Sequence, residues 1–223
     1  MKKYLFLFLL FPLSILAQKN FTYKKDFDLI LKESKDKKSD LYYPNLLAKY
    51  NKIDSTLTDK EMLAMLISYT EDKNYKPYQD FNFGRKLYKL NEESKFAEVI
   101  KTGDAFLAKH PFDLKTLFEV SYAYHQTNKQ QEADNYLQKA GFIFGAMFYS
   151  GDGMTIENPA FALNPSDGQD FIRKFIGAGI GTMGSGRDEN GYFMDMLEAK
   201  FDNGETHTLY FIIPHATKKM FVK

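Results

Sequence analysis

The sequence predicts an α+β protein: a helical region with paired, repeat-like helices, then a small, mostly antiparallel β-sheet module carrying one helix. Three observations carry that prediction. Apolar residues recur at steps of three and four from Asp26 to about Phe148, the period of a helix with one buried face. Between Phe83 and Ala140 a shift of about 34 residues lays one such pattern over another, the spacing of a tetratricopeptide-like helical hairpin. Beyond Ser150 the pattern shortens to strand-length runs around Asn203-Gly204, a strong hairpin signal. The chain therefore divides into a leader at 1–17, a helical region at 18–148 and a small α+β module at 149–223.

The leader has Lys2 and Lys3 ahead of an apolar run from Tyr4 to Leu16, ending at small Ala17. Such a run is short for a bilayer span and has the form of a secretory signal, with cleavage after Ala17 leaving Gln18 first. An uncleaved anchor is the alternative, because Ile15 is bulkier than the small residue usual two positions before the cut. No later run is apolar for long enough to cross a membrane. The chain has no cysteine, which excludes a lipidated N-terminal cysteine, disulfides and thiolate metal ligands. The expected location is the periplasm, the cell envelope or the medium, and the chain is not a lipoprotein.

Phe27, Ile30 and Leu31 mark a first short helix, which the charged run from Lys35 to Asp40 ends. Pro44 suits the first turn of a second helix through Leu46, Leu47 and Tyr50. Thr58 and Glu61 form a capping box ahead of Met62, Met65, Leu66 and Tyr69. Tyr75, Pro77 and Tyr78 close this segment. The tyrosines are expected to seal helix crossings; a cluster that binds an envelope saccharide is their other reading.

In the repeat, Phe83, Leu87 and Leu90 lie on one helix and Val99, Gly103 and Phe106 on the next. Leu117, Ser121 and Tyr124, then Ala133, Leu137 and Ala140, repeat the arrangement. Two hairpins are fewer than usually stack stably alone, so the N-terminal helices and the C-terminal module must cover them. Offset from the packing stripe, Lys115, Phe118, Tyr122 and His125 share a second face. That face would line a groove and suits an extended peptide or a carboxylate-bearing partner, with internal packing as its other reading.

Gly151 and Gly153 around Asp152 mark the boundary turn. A calcium loop would need more oxygen ligands than Asp152, Thr155 and Glu157 supply, so no metal is expected there. Ala160 to Leu163 reads as a short strand, and Ser166 with Gln169 introduces a helix bearing Phe171, Ile172, Phe175 and Ile176. The run Gly179-Ile180-Gly181-Thr182-Met183-Gly184 matches the glycine pattern of dinucleotide sites, but a helix precedes it and no apolar helix follows. A glycine-rich strand and loop is expected instead. Tyr192 to Phe201 and Thr206 to Ile213 then form the hairpin, which Pro214 ends. A two-residue turn would set Phe201 opposite Thr206, Leu197 opposite Tyr210 and Met196 opposite Phe211. Met194, Met196, Leu209 and Phe211 would then share a face.

Tyr42-Tyr43-Pro44, then Asp54, Thr56-Leu57-Thr58, Tyr75-Lys76-Pro77-Tyr78 and later Gly151-Asp152-Gly153 before Ala160-Phe161 form an ordered set. In order and spacing the set resembles the Bacteroidota family called domain of unknown function 4919, over most of the chain after the leader. The glycine-rich run between Gly177 and Gly186 departs from that resemblance. The family carries no assigned reaction, substrate or catalytic residue, so the resemblance implies only an exported protein of Bacteroidota.

Charge and motifs narrow the function classes. Thirty basic against 29 acidic residues, without a long basic cluster, give nucleic-acid binding little electrostatic support. There is no Gly-x-Ser-x-Gly elbow, no HExxH and no phosphate loop. His207 and His215 read as far apart on one extended strand, and His110 before Pro111 has a structural role at a helix end. No cofactor is expected. The expected function is a non-catalytic binding or scaffolding protein, holding a protein or peptide on the helical-repeat face. An envelope hydrolase is the alternative, with a cleft between the two regions that would draw on His125, Asp152, Asp195 and His207.

Overall fold

The computed structural model describes residues 21–79 and 81–220, so the expected leader lies outside the described residues. Seven helices come first: α1 (Tyr23–Glu33), α2 (Tyr43–Asn51), α3 (Asp59–Tyr69), α4 (Phe81–Glu92), α5 (Phe96–Leu107), α6 (Leu114–Gln126) and α7 (Gln130–Ser150). The rest comprises β1 (Ala160–Phe161), α8 (Asp167–Asp170) running into a π-helical segment at Phe171–Ile176, β2 (Gly179–Arg187), β3 (Phe193–Lys200), β4 (Thr206–Ile212) and α9 (Pro214–Lys219). The fold is α+β.

Local chemistry explains where these helices begin. Pro44 occupies the first turn of α2, where its missing N–H costs no hydrogen bond. At α3 the Thr58 hydroxyl accepts from the Glu61 amide at 3.2 Å, and the Glu61 carboxylate accepts from the Thr58 amide at 2.8 Å. These two bonds complete the capping box. The Asp113 carboxylate caps α6 by accepting from the Thr116 amide at 2.8 Å, satisfying a donor that the helix itself cannot. The hairpins α4–α5 and α6–α7 turn in the same way. Ser94 and Asn128 both take the left-handed conformation, and the following lysine amides return to Leu90 and Tyr124 carbonyls at 2.9 and 3.0 Å. Carbonyls left open at the helix ends are satisfied by such returns.

Packing then orders the helices. Met62 through Ile67 of α3 are all buried, so this helix is apolar on every side and lies inside the protein rather than at its surface. It packs against α1, α2 and the long α7. Gly103 lets α5 approach α6 closely, since a Cβ there would stand 2.2 Å from Val120 Cγ2. The tyrosines seal crossings as expected. Tyr50, Tyr69 and Tyr75 donate to the carbonyls of Pro111, Lys109 and Leu163 at 2.9, 2.9 and 2.6 Å. These bonds tie the N-terminal helices to the α5–α6 connection and to the module, and the buried apolar residues form one continuous core across all three.

The sheet has the order β1-β4-β3-β2, with β1 parallel to β4 and the other pairs antiparallel. The glycine run is strand β2 at the edge. The hairpin register differs from the expected one by a residue. Leu197 faces Leu209, Asp195 faces Phe211 and Met196 faces Tyr210. The cause is a three-residue loop: Phe201 N–H donates to Glu205 C=O, Gly204 N–H donates to Phe201 C=O, and Gly204 takes φ +86°. Glycine suits that left-handed position in a three-residue hairpin loop. One extra loop residue moves β4 by one position, which exchanges its faces. Leu209 and Phe211 therefore join Asp195 and Leu197, while Met194 and Met196 lie across from Ile212 and Tyr210.

His215 leaves the strand and begins α9 instead. The residue is 4% exposed, and its ring stacks on Phe161 at 4.6 Å, with Phe27 and Tyr23 beyond at 5.8 and 6.0 Å. Nε2–H donates to the Ala162 carbonyl at 2.9 Å, which leaves Nδ1 to accept from the Tyr23 hydroxyl at 3.4 Å. This neutral ring joins α1, β1 and α9.

Candidate functional site

A groove of about 520 Å³ opens where α4, α6, α7 and the π-helical segment meet. Its size falls in the range of about 300–1,000 Å³ usual for ligand sites. α6 supplies Phe118, Glu119, Tyr122 and His125, since positions three and four apart share a helix face. α4 contributes Tyr88, Asn91 and Glu92 from its last turn, α7 contributes Leu137, and Lys174 arrives from the π-helical segment. Tyr88, Tyr122 and Leu137 are 51%, 48% and 46% exposed, so three large side chains stand open along one surface.

Polar groups converge at the floor. Asn91 is 6% exposed, and its Nδ2 donates both to the Glu119 carbonyl at 3.0 Å and to Glu119 Oε2 at 2.8 Å. Those two bonds orient the amide, and its Oδ1 has no hydrogen-bond partner among the described residues. Burial pushes the Glu119 carboxyl above its ordinary range, against the Asn91 hydrogen bond and the Lys115 and Lys174 charges, which pull it down. Lys174 Nζ stands 5.6 Å from the centre of the Phe118 ring, close enough for attraction to the ring face. At the far end His125 Nδ1 meets Gln130 Oε1 at 2.7 Å, and Gln130 Nε2 donates to Asp134 at 2.6 Å. The glutamine oxygen therefore faces the imidazole, so Nδ1 carries the proton and Nε2 is left as an acceptor in the neutral ring.

Of the four residues expected to share a binding face, Phe118, Tyr122 and His125 line this groove. Lys115 does not. Its stem packs under α4, where a Cβ on Gly84 would meet Lys115 Cγ at 2.5 Å. The sequence reading missed Tyr88, Asn91, Glu92, Glu119, Leu137 and Lys174. The α4 residues sit one helical turn apart and could have been found by reading that helix for its second face. Lys174 could not, because only the chain's return places it here.

The residues of the hydrolase alternative lie on four separate segments: α6, the turn after α7, β3 and β4. His125 ends α6, and Asp152 accepts from the Met154 amide at 2.9 Å in the turn after α7. His207 pairs with Ala199 on β3. Asp195 lies four residues from Ala199, about 13 Å along the strand. Burial alone pushes the Asp195 carboxyl up to about 6. Among the described residues, no group of three His, Cys, Asp or Glu side chains is placed to hold a metal ion, and no helix is long and apolar enough to cross a membrane.

No curated protein and no solved structure matches the chain. One family model does, over residues 28–220, and that span includes the glycine-rich run which departs from the resemblance seen in the sequence. The chain belongs to the family described as Domain of unknown function (DUF4919).

Proposed function

We propose that this is an exported, non-catalytic binding protein of the bacterial periplasm or cell envelope, which holds a peptide segment of a partner in the groove between α4, α6 and α7. One observation carries the reading: Tyr88, Tyr122 and Leu137 stand exposed along one groove whose lining also includes the Glu119 carboxylate, held by Asn91 Nδ2 at 2.8 Å. Aromatic and apolar side chains supply contact area at small entropic cost, while a fixed polar group sets the register of a bound chain. The charged start, apolar run and small Ala17 of the leader support export, and the Lys, Asn, Phe and Tyr content agrees with an origin in Bacteroidota.

A peptide-display library panned on the purified protein and on Tyr122→Ala and Leu137→Ala tests the binding. Both side chains are exposed, so both variants are expected to fold. Sequences enriched on the wild type and lost from both variants support the reading; the same enrichment on all three would refute it. Export is tested separately by N-terminal sequencing of protein recovered from the envelope fraction, where Gln18 is the expected first residue.

A further inference from the structure

The open apolar surface does not end at Leu137. Along α7, Leu137, Gly141, Phe144 and Phe148 follow at steps of four, three and four, so they lie on one face of that helix. Leu137 and Phe148 are 46% and 58% exposed, and a Cβ on Gly141 between them would meet no atom within 4 Å. Phe144 is buried beneath, and a line of rings carries the lining past it. Phe118 lies 5.9 Å from Phe144, Phe144 lies 5.6 Å from Phe175, and Phe175 lies 6.3 Å from Phe148. Phe175, on the π-helical segment, is 50% exposed. The surface therefore runs from Tyr122 and Leu137 to Phe175 and Phe148, about 16 Å along α7.

We infer that the partner's segment binds as an amphipathic helix of about three turns, laid along this face of α7 with its acidic C-terminal end beside Arg173 and Lys174. This rests on the groove reading above and gives the ligand its shape, length and direction. A helix presents side chains at the same steps of three and four as the face it meets, so the ridges of one fit between the ridges of the other. The bare Gly141 position is a hollow between the Leu137 and Phe148 ridges, open to an apolar side chain of the incoming helix. An extended strand turns every second side chain to one face, a period that does not follow the steps of α7. Charge sets the direction. Glu92 lines the Leu137 end, and Asp134 stands one turn before Leu137 on α7. At the Phe175 end Arg173 and Lys174 are exposed, and neither forms an ion pair with a described residue. Lys174 also acts on Glu119, and both cations act on Asp170, two carboxyls that burial pushes up. Cations favour the C-terminal end of a helix and carboxylates its N-terminal end, so the bound helix runs parallel to α7.

A display library of random 14-residue peptides, panned on the wild type, Tyr122→Ala, Gly141→Gln and Phe148→Ser, tests this. All three positions are exposed, so the variants are expected to fold, which circular dichroism checks. Enriched sequences are expected to repeat apolar residues at steps of three and four, to carry Asp or Glu after the last of them, and to gain helical circular dichroism on binding as synthetic peptides. Gly141→Gln, which fills the hollow, and Phe148→Ser are each expected to weaken a selected peptide by about tenfold, the scale of one buried anchor. Lys174→Glu is expected to weaken it as well, and a peptide with lysines in place of its acids to restore binding to that variant. Enriched sequences with a period of two or with central prolines, or full binding by both Gly141→Gln and Phe148→Ser, would overturn the helix assignment; the groove reading then stands alone if Tyr122→Ala abolishes binding. A wild-type dimer in sedimentation that Phe148→Ser dissolves would also overturn it, by giving this face to a second copy. If nothing is enriched, or Tyr122→Ala leaves binding unchanged, both readings fail.

Discussion

Lowering the pH from 7 to 5 should destabilise this protein through His215, and replacing that residue by phenylalanine should remove the effect. Burial among Tyr23, Phe27 and Phe161 pushes the imidazole down to about 3, against the Nε2 hydrogen bonds to the Ala162 and Leu163 carbonyls, which favour the charged ring. In the unfolded chain the same ring titrates near its ordinary value of about 6.5. A folded-state value below the unfolded one means that the stability is present above about 6.5 and is lost as pH falls toward 3. At pH 5 the unfolded ring is almost fully protonated and the folded ring almost not at all. Integrating between pH 7 and pH 5 gives a loss of about 2 kcal/mol, set by the unfolded value as long as the folded one lies well below 5. The wild-type curve alone cannot isolate this, because burial pushes Asp170 and Asp195 up to about 6, and their protonation over the same range favours the fold. Urea unfolding of wild type and His215→Phe at both pH values can. At pH 7 the variant should be less stable by about 1–3 kcal/mol, since the Ala162 carbonyl loses its donor. At pH 5 that gap should narrow by about 2 kcal/mol. An unchanged gap would refute the reasoning, as would a His215 ring proton resonance that titrates near pH 6.5 in the folded wild type.

Three further outcomes are expected. Gly103→Ala should cost about 1–3 kcal/mol in urea unfolding, because the new methyl overlaps Val120. Gly141→Ala, on α7 where a Cβ meets no neighbouring atom, should instead stabilise by about 0.5–1 kcal/mol, so equal effects would contradict the close α5–α6 approach. Asp195→Asn should raise the melting temperature at pH 8 and leave it unchanged at pH 4: a folded-state value raised to about 6 means that the acid's contribution is full at low pH and lost as pH rises through that value. A gain of the same size at both pH values would show that Asp195 is not held up by burial. Thr58→Ala should lower stability by about 1 kcal/mol through loss of the α3 cap, measured by the same denaturation.

Short-range chemistry made much of this fold legible before any coordinates. The capping box at Thr58 and Glu61, the proline in the first turn of α2 and the paired helical hairpins all act within a few residues of the chain, so residue type and spacing carry them. The α6 face bearing Phe118, Tyr122 and His125 was readable for the same reason, as helical periodicity places those residues together wherever the helix lies. Tertiary packing decided the rest. The register of β3 and β4 turned on one loop residue, because Gly204 could serve a two-residue or a three-residue turn and the strand period of two converts that choice into an exchange of faces. Burial of α3 on every side, and the meeting of His215 with Tyr23, depend on long-range contacts that no local pattern encodes. Asn91, Glu119 and Lys174 became one polar floor because three separate stretches of chain return to the same place, and burial there, rather than residue type, left Asn91 Oδ1 without a partner and raised the Glu119 carboxyl.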